Sequence, residues 1–241
     1  MRVIFTSLFT EPLIVERVNS TQEVVKEKSF PHFKPLIATM QTAGRGRKGN
    51  RWFSPPKAGL YLSFKLPKDY FPQSGELSPI SLVCGIAVSE TVDSYTLSRI
   101  KWPNDVYIGG KKVAGILVET TAEDIVIGIG VNLNTTSFPP ELQKMATSIY
   151  LETQNRVDFS EFLHLLLENL SSDLLLFRSE GFTPFVERIN RKLLWRGKRV
   201  VIDQRECGKL LGINSKGYAV IKTCYGAVKE FPYGDISLRR G

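Results

Sequence analysis

Two short segments carry more cationic and hydrogen-bonding side chains than a connecting loop requires. Residues 44–49 read Gly-Arg-Gly-Arg-Lys-Gly and run into Asn50-Arg51-Trp52. Arg45, Arg47, Lys48 and Arg51 thus stand on a glycine-rich backbone with exposed amides. Guanidinium groups match carboxylates and phosphates, so such a loop suits a polyanion that must be wrapped and then released. It suits equally a solvated basic turn or an RGG-like nucleic-acid contact. The string formally fits GxGxxG, but Asn50-Arg51-Trp52-Phe53-Ser54-Pro55-Pro56 follow it instead of a helix. No helix N-terminus is therefore offered to a pyrophosphate. The Gly-Lys-Ser/Thr ending of a phosphate-binding P-loop is missing, and the chain contains neither HRD nor DFG, which excludes a protein kinase.

The second segment is Lys101-Trp102-Pro103-Asn104-Asp105, followed by Gly109-Gly110-Lys111-Lys112 and an apolar run from Val113. Pro103 and Asn104 favour a tight turn, and Trp102 beside it would anchor that turn in the core. Asp105 could orient Lys101 or cap backbone amides. Lys112 stands one residue before the apolar run, so its ammonium could sit at the edge of a buried site. A hairpin with exposed lysines is the alternative.

Other chemistries have little support. The two histidines, His32 and His164, are far apart, and the three cysteines (Cys84, Cys207, Cys224) show no CxxC spacing. Neither a metal site nor a disulfide framework is suggested, and a cytosolic protein is expected. His164 reads as a packed or rim histidine on a leucine-rich helix and Cys84 as a small core residue. Lys26-Glu27-Lys28 reads as a solvated helix end. No apolar run approaches the roughly 20 residues that span a bilayer, and Pro12 interrupts the apolar start. The formal net charge of +8 favours anionic partners without choosing among them.

The elements that must position these segments follow from periodicity. With 241 residues and 42% hydrophobic content, the chain can bury one large core and a small one. The stretch up to residue 15 reads as a first strand. Residues 36–42 read as a strand entering the basic loop, and 59–66 alternate as another. Ile80, Val83, Cys84, Ala87, Val88 and Val92 form a helical stripe within 76–98. Residues 113–119 and 125–133, rich in β-branched side chains, read as a hairpin of buried strands. Asp158 and Glu161 have capping-box spacing, and Phe159, Phe162, Leu163, Leu166, Leu170, Leu174 and Phe177 continue at helical spacing to Gly181. Thr183-Pro184 opens another helix, with Thr183 as N-cap. From Trp195 onward, short alternating runs separated by glycine-bearing turns predict a small all-β barrel. The predicted boundary divides 1–194 from 195–241.

Four blocks, in order, resemble the biotin–protein ligase family. They are Val18-Asn19-Ser20-Thr21, the run from Gln41 through Gly49 with Trp52, KWPND at 101–105, and KKVAGILVE at 111–119. The glycine-rich strand ending Gly128-Ile129-Gly130-Val131-Asn132 and the terminal β segment extend the likeness over nearly the whole chain. The resemblance implies an α+β fold: a mixed, mainly antiparallel sheet flanked by helices, of the class II synthetase-like type, followed by an SH3-like barrel. It implies that ATP and biotin are substrates, with Mg2+ carried on ATP and no resident metal. Ser20, Thr21, Gln22 and Gln41 would hydrogen-bond the ureido head, helped by backbone at Gly44, Arg45 and Gly46. At position 22 the family more usually has asparagine. Trp52 would cover the valeryl tail, and Gly115 and Gly128 would admit the ligand closely. Arg47 and Lys112 are the implied catalytic cations at the biotin carboxylate and α-phosphate. Arg45, Arg47, Lys112 and Asn132 would bind the nucleotide, Asn132 at adenine.

The implied partner is a biotin carboxyl carrier protein or domain, with neither DNA nor membrane, for a monomer or weak homodimer. Fewer than 20 residues precede Ser20, too few for the helix-turn-helix of repressor relatives, so repressor activity is not expected. Arg239-Arg240 reads as a solvated tail, although Arg239 could reach the nucleotide if the barrel packs over the site. A lipoate ligase or octanoyltransferase is the nearest alternative, and a nucleic-acid-binding module the alternative from another class. The chemistry fits the residues: a carboxylate is already a nucleophile at neutral pH, so bringing two anions together requires placed cations, not a general base.

Overall fold

The computed structural model describes residues 8–71, 79–202, 206–232 and 238–240. Its frame is a seven-stranded sheet in the order β1-β2-β3-β7-β6-β5-β4. The strands are β1 (Leu13–Val18), β2 (Leu36–Gln41), β3 (Gly59–Pro67), β4 (Arg99–Lys101), β5 (Asp105–Ile108), β6 (Lys111–Thr120) and β7 (Asp124–Asn132). Only β1 and β2 run parallel; every other neighbouring pair is antiparallel. The predicted first strand begins later than its apolar letters suggest, at Leu13, and residues 1–7 lie outside the described part.

Alternation gives this sheet two different faces. Ile37, Leu62, Phe64, Ile127 and Ile129 point into the main core. Their neighbours Leu36 and Val126 join a small separate cluster with Val25. The core face is covered by α2 (Ile80–Asp93), α4 (Phe159–Glu180) and α5 (Thr183–Lys192), with the short α3 (Ile149–Thr153) ahead of them. Helix α2 is buried nearly all round, which explains its almost unbroken run of small and apolar residues. The opposite face carries α1 (Thr21–Lys26), packed over β2, β3 and β7. On that face lie Ser63, Gly115, Gly128 and Gly130, the small residues that leave a cleft.

The helix signals are largely realised. Asp158 caps α4 by accepting from Glu161 N at 2.9 Å, and Gly181 closes the helix with φ 71°. Thr183 is the first residue of α5 and not its N-cap; Phe182 occupies that position, one residue earlier than predicted. His164 is exposed beside Glu168, and Cys84 is fully buried.

The C-terminal segment forms β8 (Arg199–Ile202), β9 (Glu206–Ile213), β10 (Ala219–Thr223), β11 (Val228–Phe231) and β12 (Leu238–Arg240). They form an antiparallel sheet in the order β11-β10-β9-β8-β12. The expected small β unit is present; among the described residues β11 and β12 are the two edges of its sheet, the three-residue β12 pairing with β8 alone, without a hydrogen-bonded closure between them. The side chain of Arg239 lies outside the described part. The cysteine reading is also corrected. Cys207 and Cys224 are joined in a disulfide with Cα atoms 6.1 Å apart. The register sets Thr223 against Gly208, so the next pair outward is Cys207 and Cys224, a juxtaposition that a separation of 17 residues does not reveal.

This sheet does not stand apart. Trp102 is buried and donates through Nε1 to Gly217 O at 3.0 Å. Asn190 bonds both backbone groups of Ile213, at 3.1 and 2.9 Å. Leu210, Ile213, Ala219 and Ile221 belong to the same apolar cluster as Trp102 and α2. The KWPND turn is thereby gripped between the two sheets.

Candidate active site

A narrow cleft opens on the α1 face of the seven-stranded sheet. It is lined by Ser20, Thr21, Gln22, Gln41, Arg45, Gly46, Arg47, Trp52, Lys112, Gly115 and Gly128, all expected at the site, and by Ser63, Asn104, Gly130 and apolar neighbours. Segments more than 100 residues apart in the chain meet here because β3, β7 and β6 are adjacent strands.

At one end, hydrogen-bonding groups cluster. Gln41 Oε1 accepts from Thr21 N at 2.8 Å and Thr21 Oγ1 at 3.1 Å, and Thr21 Oγ1 lies 2.8 Å from Ser63 Oγ. Ser63 Oγ also donates to Gln22 Oε1 at 3.2 Å, while Gln41 Nε2 donates to Ser54 Oγ at 3.0 Å. Ser20 is 1% exposed, and its Oγ has no hydrogen-bond partner among the described residues. A buried hydroxyl left so costs roughly 1–3 kcal/mol, which a polar ligand can recover.

At the other end stand cations. Arg47 donates to Asn104 Oδ1 at 2.9 Å, and Asn104 donates to Ile116 O at 2.9 Å, tying the basic loop to β6. Lys112 Nζ lies 2.7 Å from Asp105 Oδ1 and 5.1 Å from the centre of the Trp52 ring. Asp105 Oδ1 makes no hydrogen bond, so this contact is an ion pair without donor alignment. Asp105 thus serves Lys112 and not Lys101, whose ammonium donates to Tyr107 OH at 3.2 Å and faces the Trp195 ring.

Between the ends lies a glycine floor. Gly115 pairs with Gly130, and Gly128 with Leu117. A Cβ at Gly130 would fall 2.4 Å from Trp52 Cε2, and one at Gly115 would fall 3.1 Å from the same ring and 3.0 Å from Lys112 Nζ. The indole therefore lies directly on the floor, with its Nε1 buried and unpartnered among the described residues. Strand geometry spaces Gly128 and Gly130 by roughly 7 Å, so the hydrogen-bonding end and the cationic end are about the length of a short aliphatic tail apart.

The basic loop is more ordered than its glycines suggest. Arg45 and Arg51 form a β-bridge, Gly46 N donates to Asn50 O at 2.8 Å, and Trp52 N to Gly44 O at 2.9 Å. Gly44 does not line the cleft; a Cβ there would meet Trp52 O at 2.6 Å, so its role is to let the loop fold on itself. Arg45 lines the cleft, but its guanidinium pairs with Glu23 and, at 3.2 Å, with Glu119. Lys26 is drawn to Glu119 at 2.9 Å and is not a freely solvated helix end. Asn132 lies beyond the lining residues. Its Nδ2 donates to Thr147 O at 2.9 Å, and its buried Oδ1 has no partner among the described residues.

Ser63, Asn104, Glu119 and Gly130 were not singled out as site residues from sequence. Alternation could have placed Ser63 and Gly130 on the face shared with Gly128. Asn104 stands out only as part of the KWPND turn, and nothing local marks Glu119; the partners of both come from other segments. Among the described residues, no group of three or more His, Cys, Asp or Glu gathers to hold a metal.

The profile of the Biotin/lipoate A/B protein ligase family matches residues 14–134, half of the chain and every residue that lines the cleft. The chain belongs to this family. It is 32% identical over 257 residues to the bifunctional ligase/repressor BirA of Bacillus spizizenii, covering 97% of this chain and 76% of that protein. It is 35% identical over 217 residues to BirA of Escherichia coli, covering 84% and 65% respectively. Among solved structures, a biotin protein ligase from Aquifex aeolicus in complex with biotin and ATP superposes with a TM-score of 0.90 at 38% identity. That match covers 97% of this chain and all of the other. The family's architecture, a mixed sheet with flanking helices and a C-terminal β segment, is the one seen here.

Proposed function

We propose that this family member is an ATP-dependent biotin–protein ligase. It joins the biotin carboxylate to the α-phosphate of ATP, releasing pyrophosphate, and transfers the biotinyl group from biotinyl-5'-AMP to a lysine of an acetyl-CoA carboxylase carrier. ATP and biotin are the substrates, and Mg2+ enters with ATP, held by phosphate oxygens and water.

The observation that carries this reading is the layout of the cleft. A cluster of serine, threonine and glutamine groups suits a ureido head, the glycine floor on which the Trp52 ring rests suits an aliphatic tail once that ring lifts, and Lys112 and Arg47 at the far end suit a carboxylate. In the first step these two cations lower the repulsion between carboxylate and phosphate and offset charge as it builds on the phosphoryl oxygens. Lys112 exchanges Asp105 for the incoming anion. Arg47, fixed by Asn104, does the same from the loop side. In the second step the mixed anhydride must be kept from water until the lysine amine arrives, and Trp52 with the loop serves as its cover.

Arg45 belongs, in this reading, to the head-group end through Glu23 and Glu119, and Asn132 to the adenine end with its Oδ1, unpartnered among the described residues. The carrier's biotin-accepting domain is the acceptor, and the molecule acts as a monomer or weak homodimer. Residues 1–194 bind both substrates, with 195–241 as an appended β unit. The test is direct: incubate the protein with ATP, Mg2+ and either biotin or lipoate. Biotinyl-adenylate and biotin-dependent pyrophosphate exchange are expected; exchange driven by lipoate alone would overturn the assignment.

A further inference from the structure

One carboxylate beside the cleft has no part in the two-step chemistry. Glu119, toward the end of β6 remote from Lys112, uses both of its oxygens on site residues. Gln22 Nε2 donates to Glu119 Oε2 at 3.1 Å, and Arg45 donates to Glu119 Oε1 at 3.2 Å. The second proton of Gln22 Nε2 goes to Val126 O at 3.3 Å. Both partners of that nitrogen are acceptors, so turning the carboxamide round would set oxygen against oxygen.

Gln22 Oε1 consequently faces the cleft. Ser63 Oγ donates to it at 3.2 Å, and the missing side chain of Gly128 makes room: a Cβ there would lie 2.4 Å from this oxygen. With Nε2 saturated, Gln22 has only acceptor capacity left for a ligand. Gln22 is 3% exposed, so a ligand donor that fails to meet this oxygen has no water to turn to.

We propose that Glu119 is a positioning residue for head-group recognition, holding the Gln22 carboxamide as an acceptor toward an N–H of the ligand and tying the loop above it through Arg45. The proposal rests on the ligase reading, since the ureido ring of biotin brings N–H donors to this end of the cleft; a dithiolane ring has none. The Glu119 carboxyl is held below the usual carboxylate range. Burial opposes this, but hydrogen bonds from Lys26 and Gln22 and the charges of Lys26 and Arg45 outweigh it. At neutral pH it is therefore purely an acceptor, as the arrangement requires.

The test compares biotin with two analogues in which one or the other ureido N–H is replaced by oxygen, using kcat/KM for adenylate formation by the full chain. The wild-type protein is expected to prefer biotin over at least one analogue by roughly 10- to 100-fold, the range of a lost buried hydrogen bond. Glu119→Gln, whose own amide can donate to Gln22 and which leaves Val126 O at 3.3 Å as the one acceptor still opposing a turned carboxamide, should shrink that preference about fivefold or more. Gln22→Met should shrink it as far, and the double variant no further, because both changes remove one shared contact. A role limited to holding the fold would slow biotin and analogue alike and leave the ratio unmoved. An unmoved ratio in Glu119→Gln, or equal use of biotin and both analogues by the wild type, overturns the proposal. Should Glu119→Gln fail to fold, an unmoved ratio in Gln22→Met overturns it instead. A wild-type protein that forms no biotinyl-adenylate sinks the ligase reading and this proposal together; biotin turnover with unmoved ratios sinks this one alone.

Discussion

Lys112 Nζ stands 2.7 Å from Asp105 Oδ1, with the two residues near the starts of adjacent strands β6 and β5. The Lys112 side chain is 28% exposed and that of Asp105 16%, so the pair sits at the rim of the cleft, where solvent still reaches it. An ion pair so placed is worth little in net stability, yet it holds the ammonium at the tip of the glycine floor. Replacing Lys112 with Ala should therefore lower biotin-dependent pyrophosphate exchange by about 100-fold or more while the circular dichroism spectrum stays native. Near-normal exchange in the folded variant would remove Lys112 from the chemistry.

The floor under Trp52 makes a steric prediction. Gly130→Ala puts a methyl 2.4 Å from the indole, so the ring must move. The expected result is a weaker affinity for biotin, by about tenfold or more, with a shift in tryptophan emission between free and biotin-bound forms. Unchanged affinity and emission would mean that Trp52 is not the roof of the cleft.

The loop makes a different one. Arg47→Gly removes the bond to Asn104 Oδ1 that ties residues 44–52 to the KWPND turn. Loss of this tether should release adenylate early, so that lysines on unrelated proteins become biotinylated. Mass-spectrometric labelling of a mixture of non-acceptor proteins measures this; strict acceptor selectivity in the variant would argue against a covering loop.

Away from the cleft mouth, Lys65 is 2% exposed and its ammonium lies 3.2 Å from Asp124 Oδ2, while His32 Nε2 lies 2.7 Å from Oδ1. Burial works to raise the Asp124 carboxyl, but hydrogen bonds from His32 and Lys65 and their charges bring it below the usual value. A depressed folded-state value contributes stability that is fully present above the ordinary Asp range, near pH 3.9, and fades as pH falls through the folded-state value. Asp124→Asn should cost about 3 kcal/mol at pH 7 by removing the charge partner of a buried ammonium, which keeps its bond to Glu27 O at 3.0 Å. In urea titrations the gap between variant and wild type should close only at strongly acid pH; a gap that is constant across pH would assign the loss to packing.

Much of this was readable before any fold was known, and for a local reason. The β-branched run from Val113 and the glycines at 128 and 130 mark strands, while Asp158 and Gly181 mark the two ends of a helix; each signal depends on neighbours a few residues away. The basic loop and the KWPND turn were also legible, because their residue types are costly to place without a purpose. Thr183, shifted by one as a cap, shows the usual slack at helix ends.

Partner choice is another matter. Whether Asp105 meets Lys101 or Lys112, whether Cys207 meets Cys224, and whether Arg45 turns to phosphate or to Glu23 and Glu119 all depend on strand register and on which strands are neighbours. One residue of slip in a ladder exchanges the faces of every side chain on it, and no local pattern records that choice. The amino-acid order alone thus supplied the parts and the chemistry they suit: cations for anions, glycines for close approach, amides and hydroxyls for a polar head. The folded sheet decided how they combine. Adjacency of β3, β7 and β6 brings Ser63, Gly128, Gly130 and Glu119 under a helix and a loop from far earlier in the chain, because hydrogen-bonded ladders, not sequence proximity, set the distances across a cleft.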